Sequence, residues 1–357
     1  MKILKELVEI PSCNNCDDIL EYIKEKLIDK VEEINIYGNK SKFLLAGINT
    51  RLRNIEPIIL SGHIDTACAD EKGYKTNPYI LTEVDGKAYG LGSIDMKSFT
   101  AVILENINKI KSINVPIVLA LTTDEETDLK SIYLLIDKLK ELNIKPKFTI
   151  VGEPSKSEFG VSSNSCDVYS VKLFGKSSHS SKINQGINAI CACAKLVSFV
   201  EKEQSKYRLT ANCGVINGGE VFNKVADYAE LIFDIRSLYK EDVNKFLNEI
   251  KKYLKKLKIE YSGLKSKLQV TSSMPPFNML ENDKIKEIAD KMNTNMSMFT
   301  GGCEVTYYVD YSGDGVIFGV GDLSLAHKPN EYVVISEYYE YSKQLIRLLE
   351  LVHKKYF

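Results

Sequence analysis

Three almost wholly apolar runs of strand length constrain this chain more than any other feature, because each stops at a polar group. Ile58-Ile59-Leu60 ends in Ser61-Gly62-His63-Ile64-Asp65, and Pro116–Leu121 ends in Thr122-Thr123-Asp124-Glu125-Glu126. Phe148–Val151 ends in Gly152-Glu153-Pro154. Helical patterns separate them: Ala101–Ile110 before the second run and Leu129–Leu142 before the third. Runs without polar alternation are strands buried on both faces, and their alternation with helices argues a mostly parallel α/β sheet covered on both sides. In such sheets the functional crevice lies beyond the carboxyl ends of the strands, where these polar residues fall.

The 357 residues exceed what one core usually supports, so two domains are expected. Asp17-Asp18 opens a helix with apolar Ile19, Leu20, Ile23, Leu27 and Ile28, and residues 79–89 read as a hairpin turning at Asp85-Gly86. From about residue 168 the rhythm changes to strand (Val168–Phe174), helix (Gly186–Lys202), strand (Leu209–Ile216), strand (Ala229–Ile235), helix (Asp242–Leu257) and strand (Lys267–Thr271). This βαββαβ order is the ferredoxin-like split unit. After Met274-Pro275-Pro276 the α/β pattern resumes, with helix Asp283–Met292, strand Val316–Val320 and a last helix from about Glu337. The expected organisation is a large domain of residues 1–166 and 273–357 with a small domain, 167–272, inserted in it.

A net charge of −1 with both signs dispersed carries no nucleic-acid or membrane signal. No run approaches the roughly 18 apolar residues of a membrane span, and the N-terminal segment lacks the apolar core of a secretory signal. A cytoplasmic protein is expected. Eight scattered cysteines fit reduced thiols, and Cys13-Asn-Asn-Cys16 has no second pair to complete a four-sulfur site. Cys191 and Cys193 lie on a helical pattern and read as small core residues.

The chain holds only four histidines, and His63, His179 and His327 sit in polar, glycine-bearing motifs, whereas His353 reads as a surface residue of the last helix. In the α/β part His63, Asp65, Asp95, Glu125, Glu126, Glu153 and His327 are aimed at one crevice. Singly, each is an ordinary loop residue. Jointly, so many carboxylates are electrostatically costly unless cations neutralise them. Two cations sharing one carboxylate, each with two further ligands, call for five of these seven side chains. Asp65 is left to orient the His63 ring, and one of Glu125 and Glu126 is left as a general base. Imidazole with carboxylate suits zinc, with cobalt or manganese as alternatives. Two such ions about 3.5–4 Å apart acidify water and polarise a carbonyl, which points to metal-assisted hydrolysis. Gly90-Leu91-Gly92 lacks the third glycine of a dinucleotide loop, and Gly175-Lys176-Ser177 lacks the first glycine of a phosphate loop.

Several segments resemble the dinuclear-zinc aminoacylase and carboxypeptidase family, in order from residue 57 to 335. They are Gly62-His63-Ile64-Asp65-Thr66, Tyr89–Lys97, Thr123-Asp124-Glu125-Glu126-Thr127, Gly152-Glu153-Pro154, Gly175–Ser181, Gly218-Gly219 and Ala326–Tyr332. The resemblance implies a zinc-peptidase-like catalytic domain and an inserted lid and dimerisation domain. It implies two zinc ions per subunit, with Asp95 bridging, His63 and Glu153 on one ion, and Glu126 and His327 on the other. The Asp95–Met96 bond is expected to be cis, with Glu125 as the base. His179 would stabilise an oxyanion from a partner subunit, and Asn223 and Arg236 would hold substrate. The implied substrate is a small N-acyl amino acid, N2-acetyl-L-ornithine first, with Glu304 meeting its δ-amine. Succinyl-diaminopimelate and dipeptides are the alternative substrates, and a catalytically silent binder is the alternative function. The chain departs from the family at Ser98-Phe99, at Gly319-Val320-Gly321 and at Ser163-Asn164-Ser165, the last bearing on substrate identity.

Overall fold

The computed structural model describes residues 1–69 and 72–357, which form two compact units, 1–162 with 278–357, and 163–277. The first unit is built on a nine-stranded mixed sheet whose order, from one edge, begins Glu33–Gly38, Lys42–Ile48, Ile117–Thr122, Ile58–His63, Phe148–Val151, Asp314–Ile317. The last four of these are parallel and in step, with Ile58 opposite both Ile117 and Phe148, and Asp314 opposite Phe148. Their carboxyl ends therefore fall on one edge. The strands built on the three apolar runs, Ile58–His63, Ile117–Thr122 and Phe148–Val151, are buried along their whole length.

Alternate residues face opposite layers, as the two-residue period of a strand requires. Ile58 and Leu60 join a core with Leu4, Leu7, Ile19, Ile23, Phe99, Val102, Tyr341 and Leu345, from helices on one face. On the other face helix Lys130–Glu141 packs on the strands with its buried side, Ile132, Leu135, Ile136 and Leu139. Strands Glu33–Gly38 and Lys42–Ile48 extend the sheet antiparallel, so the sheet is mixed. Hairpin Thr82–Val84 and Lys87–Tyr89 turns at Asp85 and Gly86, both at positive φ, and Tyr332–Val334 adds to it as a third strand.

The second unit has four antiparallel strands in the order Thr210–Gly218, Tyr228–Arg236, Cys166–Phe174, Lys265–Met274. Helices Ala189–Glu203 and Lys240–Glu260 cover the face bearing Tyr169, Val171, Leu173, Leu231, Phe233 and Ile235. That is the ferredoxin-like arrangement.

Three details differ from expectation. The Ala101–Ile110 helix is two, Lys97–Glu105 and Ile107–Ser112, because Asn106 turns its side-chain amide onto the Val102 carbonyl and the Ser342 hydroxyl. Not all cysteines are reduced: Cys13 and Cys68 form a disulfide, with Cα atoms 5.0 Å apart. Thr66 N–H donates to the Ser12 carbonyl and brings the two segments side by side, a juxtaposition invisible to cysteine spacing. Cys193 is a core residue, but Cys191 on the same helix is exposed.

Close packing at the strand ends leaves no room for a side chain at Gly152. A Cβ on Gly152 would lie 2.0 Å from Cγ of the buried Phe99 ring. Gly152→Ala is therefore expected to destabilise the protein by about 1–3 kcal/mol, the usual cost of overpacking a core. Thermal and denaturant unfolding of the variant against the parent checks this, and an unchanged midpoint would contradict it.

Candidate metal centre

Register puts the polar ends of the parallel strands together, and loops supply the rest. His63 is the last residue of its strand, with Ile64 N–H bonded to the Thr122 carbonyl, while Gly152 N–H bonds to Ser61 and leads directly to Glu153. Asp95 follows the hairpin and precedes helix Lys97–Glu105 through a cis Asp95–Met96 bond, as the resemblance implied. His327 lies in the loop before Tyr332–Val334 at φ +57°, a backbone region that persists in a non-glycine residue only where its surroundings impose it.

Asp95 stands between the two imidazoles. Its Oδ1 is 3.0 Å from His63 Nε2 and its Oδ2 is 3.2 Å from His327 Nε2. Glu153 Oε1 lies 3.8 Å from His63 Nε2, and Glu126 Oε1 lies 2.8 Å from His327 Nε2. Two cation-sized groups result, His63–Asp95–Glu153 and Asp95–Glu126–His327, with the ligand atoms of each within 4.8 Å of one another. Glu125 belongs to a third such group with His63 and Glu126. The donor set fits a pair of divalent ions: both histidines offer Nε2, three carboxylates complete the sites, and Asp95 has one oxygen for each.

Asp65 meets the His63 ring chiefly through its main chain. His63 Nδ1–H donates to the main-chain carbonyl of Asp65 at 3.0 Å, while the nearer carboxylate oxygen is 3.5 Å away. The other carboxylate oxygen accepts the Glu126 N–H at 3.0 Å. Asp65 thus fixes the His63 tautomer, leaving Nε2 free to ligate, and also anchors the acidic loop.

The electrostatics follow from crowding. Burial opposes ionisation of Asp95, but hydrogen bonds from His327 and His63 outweigh it and hold the carboxyl well below the usual range. Burial pushes Glu125 up to about 7, with Glu126, Asp95 and Asp65 nearby adding to the rise, and burial also raises Glu126 and Glu153. Asp95 holds His327 protonated up to about 9, and His63 is raised too, its bonds to Asp65 and Asp95 overcoming burial.

Glu304 immediately precedes helix Val305–Tyr311 and is buried, with Oε2 3.4 Å from the Ser61 hydroxyl, which also bonds Tyr308. Burial raises its carboxyl to about 8, offset only in part by the neighbouring Thr122 hydroxyl. His179, Asn223 and Arg236 belong to the second unit. His179 is exposed, its Nδ1 accepting from Ser181 N–H, and Arg236 pairs with Asp234 at 2.7 Å. The Asn223 carbonyl accepts the Ser180 N–H.

Two buried charges beside the cluster carried no role in the sequence reading. Lys97 Nζ donates to the Leu7 and Ile10 carbonyls, tying the first helix to the Asp95 segment, and burial lowers its pKa to about 8. Glu331 accepts main-chain N–H groups around Asp95. Nothing in spacing or periodicity marks either residue; only its place beside a ligand could have done so.

Fold and site together define a metal-dependent hydrolase. The chain belongs to the M20 group of peptidases, since the model of peptidase family M20/M25/M40 matches residues 59–351. The chain is 27% identical to an acetylornithine deacetylase of Buchnera aphidicola subsp. Acyrthosiphon pisum (strain Tuc7), over 93% of this chain and 92% of that one. It is 29% identical to the acetylornithine deacetylase of Buchnera aphidicola subsp. Schizaphis graminum, over 98% and 96%. Among solved structures it resembles a tripeptidase from Staphylococcus aureus, with a TM-score of 0.78, 24% identity and 99% and 97% of the two chains covered. A dinuclear metal-binding M20 peptidase of Bacillus subtilis superposes with a TM-score of 0.71, at 16% identity over 99% and 97% of the chains.

Cations entering this cluster displace the protons that its histidines otherwise hold, so metal uptake is expected to release protons. Apparent affinity for zinc or cobalt should rise between pH 6 and pH 8, since His327 is protonated up to about 9 in the ion-free site. Calorimetry in buffers of different ionisation enthalpy measures the release; uptake without it would contradict the picture.

Proposed function

We propose that the protein hydrolyses the amide of an N-acyl amino acid, N2-acetyl-L-ornithine in the first place, yielding acetate and ornithine. The observation that carries the reaction class is Asp95 standing between His63 and His327 with Glu125 alongside. In this reading His63, Asp95 and Glu153 hold one zinc ion, and Asp95, Glu126 and His327 the other. When bound, such a pair acidifies water and polarises the scissile carbonyl. Glu125 is not needed as a ligand. Its carboxyl, raised to about 7, suits a group that takes a proton from water and returns it to the leaving amine near neutral pH.

The substrate proposal draws on the acetylornithine deacetylases among the relatives and on Glu304. Glu304 is buried behind the Ser61 hydroxyl, and its charged form would be favoured there if a ligand's cation met it. The ornithine δ-amine is such a cation, and ornithine formation would place the enzyme in arginine biosynthesis in the cytoplasm. The second unit would act as lid and dimerisation domain. Its outermost strand, Thr210–Gly218, carries exposed Val215 and Ile216, with fully exposed Phe222 just beyond, which supports association with a second copy. His179 would then serve the partner's site, and Asn223 and Arg236 would hold the substrate carboxylate.

A hydrolysis panel on zinc- or cobalt-loaded protein, comparing N2-acetyl-L-ornithine, N-succinyl-diaminopimelate, dipeptides and tripeptides, tests the substrate. Preference for peptides would replace this reading with the peptidase one. Glu125→Gln should lower turnover by about 10²–10⁴-fold while leaving metal content at the parental level. Glu304→Gln should erase the preference for basic over neutral acyl-amino acids at unchanged thermal stability. A retained preference would remove Glu304 from substrate recognition.

A further inference from the structure

The segment that presents Asp95 is held from behind by one side chain. Glu331 is buried, 3% exposed, and its Oε1 accepts the N–H groups of Ile94 at 2.8 Å and Asp95 at 3.2 Å. Its Oε2 accepts the Gly92 N–H at 3.1 Å, and its main-chain carbonyl accepts the Gly90 N–H at 3.0 Å. The segment it grips is itself buried, so these peptide groups have no water to fall back on. Gly92 is at φ +76°, and its missing Cβ lets Thr66 and Lys97 approach where a side chain would sit within about 3 Å of both. The residue after Glu331 opens strand Tyr332–Val334, whose Tyr332 pairs with Tyr89 at the start of the same segment.

Glu331 also lies four positions beyond His327. It therefore ties the loop carrying one imidazole to the segment carrying the carboxylate that both imidazoles face. We infer that Glu331 is the positioning residue that fixes Asp95 and His327 relative to each other and so sets the affinity of the paired cation site. It touches neither substrate nor cation. It acts by orienting Asp95, as outer partners of metal ligands do, and the loss of such partners ordinarily weakens metal binding by about 10–100-fold. Lys97, bonded to the Leu7 and Ile10 carbonyls, holds the far side of the segment independently, so the fold does not hang on Glu331.

This inference rests on the metal-dependent reading above, and the test separates the two. Zinc and cobalt affinities of the full chain are measured by competition with a chromophoric chelator, beside thermal unfolding of the metal-free protein and the visible spectrum of the cobalt form. Glu331→Gln keeps the shape but sets an amide N–H₂ against main-chain donors; it should bind metal about 10–100-fold more weakly and alter the cobalt spectrum. Glu331→Asp keeps the charge with a shorter reach and should fall between that variant and the parent. Glu203→Gln, which removes a buried carboxylate in the second unit, should bind like the parent. Parental affinity and spectrum in both Glu331 variants, whatever their metal-free stability, would overturn the inference. A parent chain that takes up no divalent cation would overturn the reading beneath it.

Discussion

One carboxylate shared by two imidazoles governs the whole carboxyl edge of the sheet. Asp95 sits about 3 Å from both His63 and His327, one oxygen toward each, and three further glutamates crowd around that axis. In the absence of cations such crowding is relieved by protons: the histidines keep theirs and the more buried glutamates are pushed toward neutrality. Divalent ions relieve it better, because each replaces protons while meeting several oxygens at once. The site is poised for metal by the same repulsion that makes it unfavourable without metal.

That arrangement asks for a rigid frame, and the fold supplies it from ordinary parts. Parallel strands in register deliver His63, the Glu125-Glu126 loop and Glu153 to one edge without loops of their own making. The groups that come from outside the sheet need extra fixing. Asp95 has Glu331 and Lys97 behind its segment, and His327 is held in a backbone conformation that its neighbours impose. Asp65 joins the two kinds of element, turning the His63 ring with its carbonyl and anchoring Glu126 with its carboxylate. Specificity is a separate matter from this frame. Under the proposed function it would fall to residues such as Glu304, buried behind Ser61, and to a second unit that has a core of its own.

Much of the fold was legible because buried parallel strands are uniform. Ile58–Leu60, Pro116–Leu121 and Phe148–Val151 have no polar interruption, and each was found within a residue or two. The ferredoxin-like strand and helix order was equally clear, since Phe246, Ile250, Leu254 and Leu257 keep strict helical spacing. The antiparallel strands Glu33–Gly38 and Lys42–Ile48 were not recognised; the outer of the two, with its mixed residues, is stabilised by pairing rather than by its own pattern. Asn106 broke a helix through two side-chain hydrogen bonds that periodicity does not register. The Cys13–Cys68 pair joins positions 55 apart, and spacing alone cannot reveal such a meeting.

The amino-acid order by itself determined which groups are available at the strand ends, because side-chain chemistry and a buried strand's apolar character are local properties. It therefore carried the paired acids, the scarce histidines and the chemistry they suggest. Only the tertiary structure decided how those groups face one another. Asp95 meets both imidazoles, Asp65 reaches His63 through its carbonyl, and Glu331 comes from more than two hundred positions away to hold the segment between Gly90 and Asp95. Those relations depend on register and on loop closure, which arise when distant parts of the chain bury their surfaces together.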